Sequence, residues 1–295
     1  MNKLCKRLLV FFIGLPLVLG LLFLDFANHL VFNFIIVSFS VLAAKEFVNF
    51  VPKDTILYKK WFLYLLVALL PLSAYIFNFC GLDINLTSWL FVAEICILFA
   101  TECFSVKSFE NSIKKISFSV LLLFYCGYLL TFLVKLTTVQ NSTYFLVLFF
   151  ILVFMCDSGA WFFGMLFGKS TRGFIPASPN KSLVGFIGGI ITSIACGILL
   201  NILFPEVFGC EYWKIIIISF LTAVVSIVGD LTESVFKRSA EIKDSGTLIP
   251  GRGGVLDSID SIILATPIYY TLIHFFYLVN IFLKKNEFFS CKIQY

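Results

Sequence analysis

Charge is what this sequence has least of. Lys, Arg, Asp and Glu supply 13% of its 295 residues, while hydrophobic residues supply 60% and the mean hydropathy is +1.01. A water-soluble domain carries nearer ~25% charged residues, so a soluble enzyme or carrier is excluded. Histidine is almost missing: His29 and His274 are too little material for a histidine-ligated zinc site or a histidine-based triad. The nine cysteines are scattered and odd in number, without a Cys-x-x-Cys pair. That excludes a disulfide framework and leaves them as apolar filler. No internal repeat or low-complexity run stands out. The net charge of +5 belongs to loops between apolar segments and gives no case for a nucleic-acid partner.

Long apolar runs are what the chain has instead. Nine segments meet the requirement of ~17 to 25 mostly apolar residues for crossing a bilayer: 8–24, 30–49, 61–80, 86–104, 117–136, 143–165, 183–204, 213–232 and 259–283. The first follows Lys3, Lys6 and Arg7 as a signal peptide would, but no small-residue cleavage site comes after it, so it reads as a span. The expected fold is an all-α, polytopic integral membrane protein of about nine transmembrane helices. Three stretches divide it: N-terminal helices over 1–110, middle helices over 111–182 ending in a cytoplasmic loop, and C-terminal helices over 183–295. With the N-terminus inside, 17 of the 22 basic residues fall on the inner side; the misfit is the tail, with Lys284, Lys285 and Lys292.

One stretch breaks the pattern. Gly229 to Ser261 gathers six acids (Asp230, Glu233, Glu241, Asp244, Asp257, Asp260) and four bases (Lys237, Arg238, Lys243, Arg252), out of 17 acidic and 22 basic residues in the whole chain. Charge collected in one place on the inner side suits a polyanionic substrate with metal ions. Asp257 and Asp260 are three apart, so on a helix they share a face and can share a divalent cation, with Asp230 or Asp244 completing the oxygen shell. The turn Pro250-Gly251-Arg252-Gly253-Gly254 permits positive φ and close backbone approach to a ligand. The four basic side chains supply the field that phosphate groups need.

Two further places carry weaker signals. Asp157 leads a run of small residues, Ser158-Gly159-Ala160, and is expected to line a polar cavity near the inner side. Ser178-Pro179-Asn180-Lys181-Ser182 precedes a glycine-rich span, where Ser178, Lys181 and the amides of the helix start can hold phosphate. Glu94, inside the fourth span, reads as structural, facing other helices.

Taken together, these residues resemble the phosphatidate cytidylyltransferase (CDP-diacylglycerol synthase) family. The family's C-terminal pattern is met without a gap by Ser234, Phe236, Lys237-Arg238, Lys243-Asp244, Gly246, Ile249-Pro250, Gly253-Gly254, Asp257, Ile259 and Asp260. The segments Asp157-Ser158-Gly159-Ala160-Trp161-Phe162-Phe163-Gly164 and Ser178-Pro179-Asn180-Lys181-Ser182 are similar as well. Departures are Arg252 where the family has His, Ser258 where it has Arg, and Asn180, Leu183 and Val184 where Lys, Trp and Glu are usual.

The resemblance implies transfer of CMP from CTP to phosphatidate, giving CDP-diacylglycerol and pyrophosphate, with Mg²⁺, two cations per site, as cofactor. Asp230, Asp257 and Asp260 are then the expected metal ligands, with Asp244 next. Lys237, Arg238 and Lys243 would hold triphosphate or the lipid headgroup, and Lys181 with Ser178 the other phosphate. Asp157, Arg252, Gly253 and Gly254 would line the substrate site. The bilayer, CTP and phosphatidate are the expected partners, a homodimer is what the family suggests, and a bacterial inner membrane with the site on its cytoplasmic side is the expected location. A CTP-dependent polyprenol or phytol kinase is the alternative enzyme. A secondary transporter fits less, because the charge lies at one face and in one half of the chain.

Overall fold

The computed structural model describes residues 13, 14, 16–52, 55, 57–105, 109–209, 211–249 and 253–278. Within a bilayer every backbone amide and carbonyl must be satisfied inside its own segment, and the apolar runs accordingly form helices. Among the described residues there are eight helices long and apolar enough to span, and no strand. We number them α1 (Phe26–Phe47), α2 (Lys60–Phe79), α3 (Leu86–Ser105), α4 (Ser112–Leu136), α5 (Ser142–Phe167), α6 (Leu183–Leu203), α7 (Tyr212–Ser239) and α8 (Leu256–Ile273). Of the expected first span, residues 13, 14 and 16–22 are helical, 23 and 24 lie past the helix end, and 8–12 and 15 lie outside the described residues. The all-α, membrane-spanning architecture is as the composition demands.

Two segments differ from the hydropathy reading in ways that matter. Hydropathy ends the eighth expected span at 232, yet α7 continues to Ser239. Asp230, Glu233, Lys237 and Arg238 are therefore helical, because their charges lie at the helix end with Lys237 and Arg238 in the last turn, where cations suit the helix dipole. Likewise α8 begins at Leu256, ahead of the expected 259, and takes in Asp257. The charged stretch is thus two helix ends, with the described residues 240–249 and 253–255 between them outside any helix.

Two packed groups build the body. α5, α6, α7 and α8 pack on one another, and α1 packs on α2 and α4. Small residues let α5 and α6 approach closely: a Cβ on Gly189 would lie 2.6 Å from the carbonyl oxygen of Cys156, and one on Gly159 would lie 3.2 Å from that of Gly188. In α4 the helix widens to a π turn over Leu123–Tyr128, and the Ser40 hydroxyl donates to the Cys126 carbonyl there at 2.6 Å.

Alternation of helix direction gathers specific ends together. At one end His29 meets Ser142 (2.9 Å) and Tyr269 donates to the Phe145 carbonyl (2.6 Å). At the other, the C-terminal end of α1 and the loop before α6 converge on the junction of α7 and α8.

Candidate active site

The junction is built from glycine upward. Gly229 on α7 has no side chain, and the space a Cβ would need is taken by the backbone of α8: the Asp260 carbonyl oxygen lies 2.6 Å from that position and the Ser261 Cα 3.0 Å. This contact sets Asp230, the next residue, beside Asp260. Asp260 is 7% exposed, accepts the Ser261 amide at 2.6 Å and lies within electrostatic reach of Asp230, Glu233 and Asp157. Asp157, on α5, is thus one of the acids whose charge reaches Asp260.

Two lysines answer these acids. Lys181, from the turn before α6, pairs with Asp230. Lys237 pairs with buried Glu233 one turn back and with Asp257 Oδ1 at 2.7 Å. Arg238 donates to the Ala177 carbonyl at 3.3 Å, tying the 173–182 loop to α7. That loop is closed by an amide of Gly173 on the Pro179 carbonyl at 3.0 Å and by the Lys181 amide on the Ser178 carbonyl at 3.1 Å. Ser178 thus positions Lys181 through its backbone. The start of α6 is capped by Ser182, whose hydroxyl accepts the Gly185 amide at 3.1 Å.

The loop between α7 and α8 is organised around Asp257. Its Oδ2 accepts the Ser245 amide (2.8 Å), the Ser245 hydroxyl (2.8 Å) and the Gly254 amide (2.7 Å). Gly253, at φ +116°, turns its bare α-carbon toward that carboxyl group, whose Cγ would lie 3.2 Å from a Cβ there. Both glycines therefore spend their openness on protein side chains, where the sequence suggested a ligand. Asp257 and Asp260 share α8 as expected but do different work: Asp257 holds the loop and Lys237, while Asp260 faces Asp230. Lys243 and Asp244 are exposed on the same loop, and Arg252 lies outside the described residues.

Sequence reasoning missed Glu46. It comes from the last turns of α1, some two hundred residues away, and its carboxylate accepts the Val255 amide (2.9 Å), the Leu256 amide (2.8 Å) and the Ser245 hydroxyl (2.9 Å). A side chain on Gly254 would collide with it, and so would one on Gly246. The available signal was faint: a single acid after Lys45 at the end of an apolar helix reads as a solvated terminus.

Among the described residues no three His, Cys, Asp or Glu side chains are grouped to hold a metal ion, and Asp230 and Asp257 are each paired with a lysine. The donor chemistry nonetheless fits a hard divalent cation. Asp260 lies within electrostatic reach of the carboxylates of Asp230, Glu233 and Asp157, oxygen donors of the kind such a cation takes, and Lys181 and Lys237 pair with acids of this group.

Comparison with known proteins bears on the same residues. The model of the Cytidylyltransferase family matches residues 5–276. A protein named phosphatidate cytidylyltransferase from Haemophilus influenzae is 39% identical over 201 residues, covering 66% of this chain and 68% of that protein. Another of that name from Staphylococcus saprophyticus is 31% identical over 186 residues, 63% of this chain and 68% of its own length. One from Staphylococcus haemolyticus is 37% identical over 131 residues, 44% and 49% respectively. The match to the family spans α1 to α8 and takes in both the acidic junction and the loop that Asp257 holds; this chain belongs to the cytidylyltransferase family.

Proposed function

We propose that this chain transfers the cytidylyl group of CTP to phosphatidate at the α7–α8 junction, releasing pyrophosphate and leaving CDP-diacylglycerol. An oxygen of the lipid phosphate attacks the α-phosphorus of CTP, and the bond from that phosphorus to the oxygen bridging to the β-phosphate breaks. The nucleophile is already an anion, so the protein has no proton to remove. Its task is to bring two polyanions together and to receive the charge that develops on pyrophosphate.

The observation that carries this reading is the Gly229 contact, which sets Asp230 against buried Asp260 with Lys181 reaching in from another loop. In this reading Asp230 and Asp260 would hold Mg²⁺, two cations per site, with Asp257 as a further ligand. When bound, such cations would supply charge to neutralise phosphate oxygens and the leaving pyrophosphate. Lys181, released from Asp230, turns to a phosphate oxygen of CTP, and Lys237 does the same from Asp257. Arg238 and the Ser178 turn keep the Lys181 loop against α7. Asp157 lines the inner wall. The acyl chains stay in the bilayer while the headgroup enters between helices at the cytoplasmic edge, the side that charge bias assigns to this end of the molecule.

The test is direct. Purified protein given labelled CTP, phosphatidate and Mg²⁺ is expected to yield labelled CDP-lipid and pyrophosphate, to stop on chelation, and to lose activity in Asp260→Asn. Release of CDP with a phosphorylated alcohol would identify a kinase. Full turnover in chelator, or in Asp260→Asn, would remove the metal assignment.

A further inference from the structure

We infer that Glu46 is a positioning residue of the transfer site, acting from the N-terminal half of the chain on the start of α8. This rests on the cytidylyl-transfer reading and deepens it, because it says what keeps the loop of that site in register.

The first amides of a helix have no partner within the helix, and a carboxylate placed there satisfies them and suits the helix dipole. Glu46 does this with both oxygens, Oε1 on Val255 and Oε2 on Leu256. The α8 terminus is thereby filled by a protein carboxylate and offers these two amides to no phosphate. The same Oε2 takes the Ser245 hydroxyl, and that hydroxyl also lies 2.8 Å from Asp257 Oδ2. A hydroxyl has one proton to donate, so Ser245 stands as a bridge between two carboxylates, serving one at a time. From there the chain of contacts runs through Asp257 Oδ1 to Lys237 and on to Glu233. One network thus links α1, the loop, α8 and α7. Within it Glu46 touches none of the groups proposed to meet substrate except through Ser245 and the backbone.

Three features show a built contact in place of a chance approach. Gly246 and Gly254 each leave the room that Glu46 occupies, on either side of it. The base of the side chain is anchored by Phe47, which packs edge-to-face on Phe236 of α7 (centroids 5.6 Å apart) and on Phe50 (5.4 Å). Asn49, one turn on, reaches the Ser245 carbonyl at 3.5 Å. The end of α1 is therefore clamped to the loop along its length.

A residue that sets geometry for the transition state lowers kcat while leaving substrate affinity largely alone. For Glu46→Gln in full-length protein, kcat is expected to fall about tenfold or more, since hydrogen bonds to a charged group are lost, with KM for CTP changing less than about threefold. Because both act through one bridge, Ser245→Ala added to Glu46→Gln should cost less than the product of the two single effects. Gly246→Ala, which crowds the carboxylate without changing charge, should lower kcat in the same direction, and it serves if Glu46→Gln does not fold. Hydrogen exchange of the amides at 253–257 gives a readout independent of activity: faster exchange in Glu46→Gln, with α6 unchanged, is expected. A folded Glu46→Gln enzyme with kcat within about twofold of the parent, or strictly multiplicative effects with Ser245→Ala, would overturn the inference. If the parent makes no CDP-lipid at all, the transfer reading falls; exchange at 253–257 then decides, and protection equal to the parent's overturns the positioning role too.

Discussion

Gly229 on α7 faces the carbonyl oxygen of Asp260 on α8 across a gap that admits no side chain, 2.6 Å from where a Cβ would stand. The obstruction is backbone, which cannot rotate aside. Gly229→Ala must therefore push the two helices apart and carry Asp230 away from Asp260. Overpacking of this kind costs about 1–3 kcal/mol of stability. The activity loss is expected to exceed what that destabilisation explains, measured as initial rate at a temperature where the variant remains folded.

Lys181 answers Asp230 from a loop that Arg238 holds in place. Replacing it by methionine keeps the stem and removes the charge. KM for CTP should rise about tenfold, the worth of one charge-assisted hydrogen bond to phosphate, and more than KM for lipid. An unchanged KM for CTP would take Lys181 out of the substrate site.

Ser182 caps α6 with a hydroxyl that is almost fully buried. Ser182→Ala is expected to destabilise the protein by about 1 kcal/mol. Because Lys181 is its neighbour, Ser182→Gly, which a cap position tolerates better, should lie between the two in thermal unfolding in detergent. Equal stability of all three would show that the cap contributes nothing.

The family's arginine is Ser258 here, and its histidine is Arg252. Ser258 sits in the first turn of α8 with its hydroxyl on the Gly254 carbonyl at 3.1 Å. An exchange of guanidinium between the two positions predicts that Arg252→His combined with Ser258→Arg keeps more activity than either change alone. A double variant no better than the singles, in the CDP-lipid assay, would refute the exchange.

Much of the protein is legible without coordinates, and for identifiable reasons. Apolar runs near 20 residues admit one backbone solution in lipid, so helix identity follows from composition alone, and the ends of α2, α3 and α6 fall within about a residue of the hydropathy reading. Ends carrying charge are misjudged, as at α7, because hydropathy cannot distinguish a charged last turn from a loop. The spacing of Asp257 and Asp260 is likewise readable, but their separate tasks are not.

By itself the sequence determined an all-helical membrane protein, the cluster of acids and bases between Gly229 and Ser261, and the family pattern from Ser234 to Asp260, since each is written in local spacing and composition. Tertiary structure alone decided that Glu46 caps α8, that Lys181 meets Asp230 and that Gly229 seats Asp260. Those pairings depend on which helices lie side by side and at what height. Packing of the whole bundle sets that, and no periodicity within a single helix encodes it.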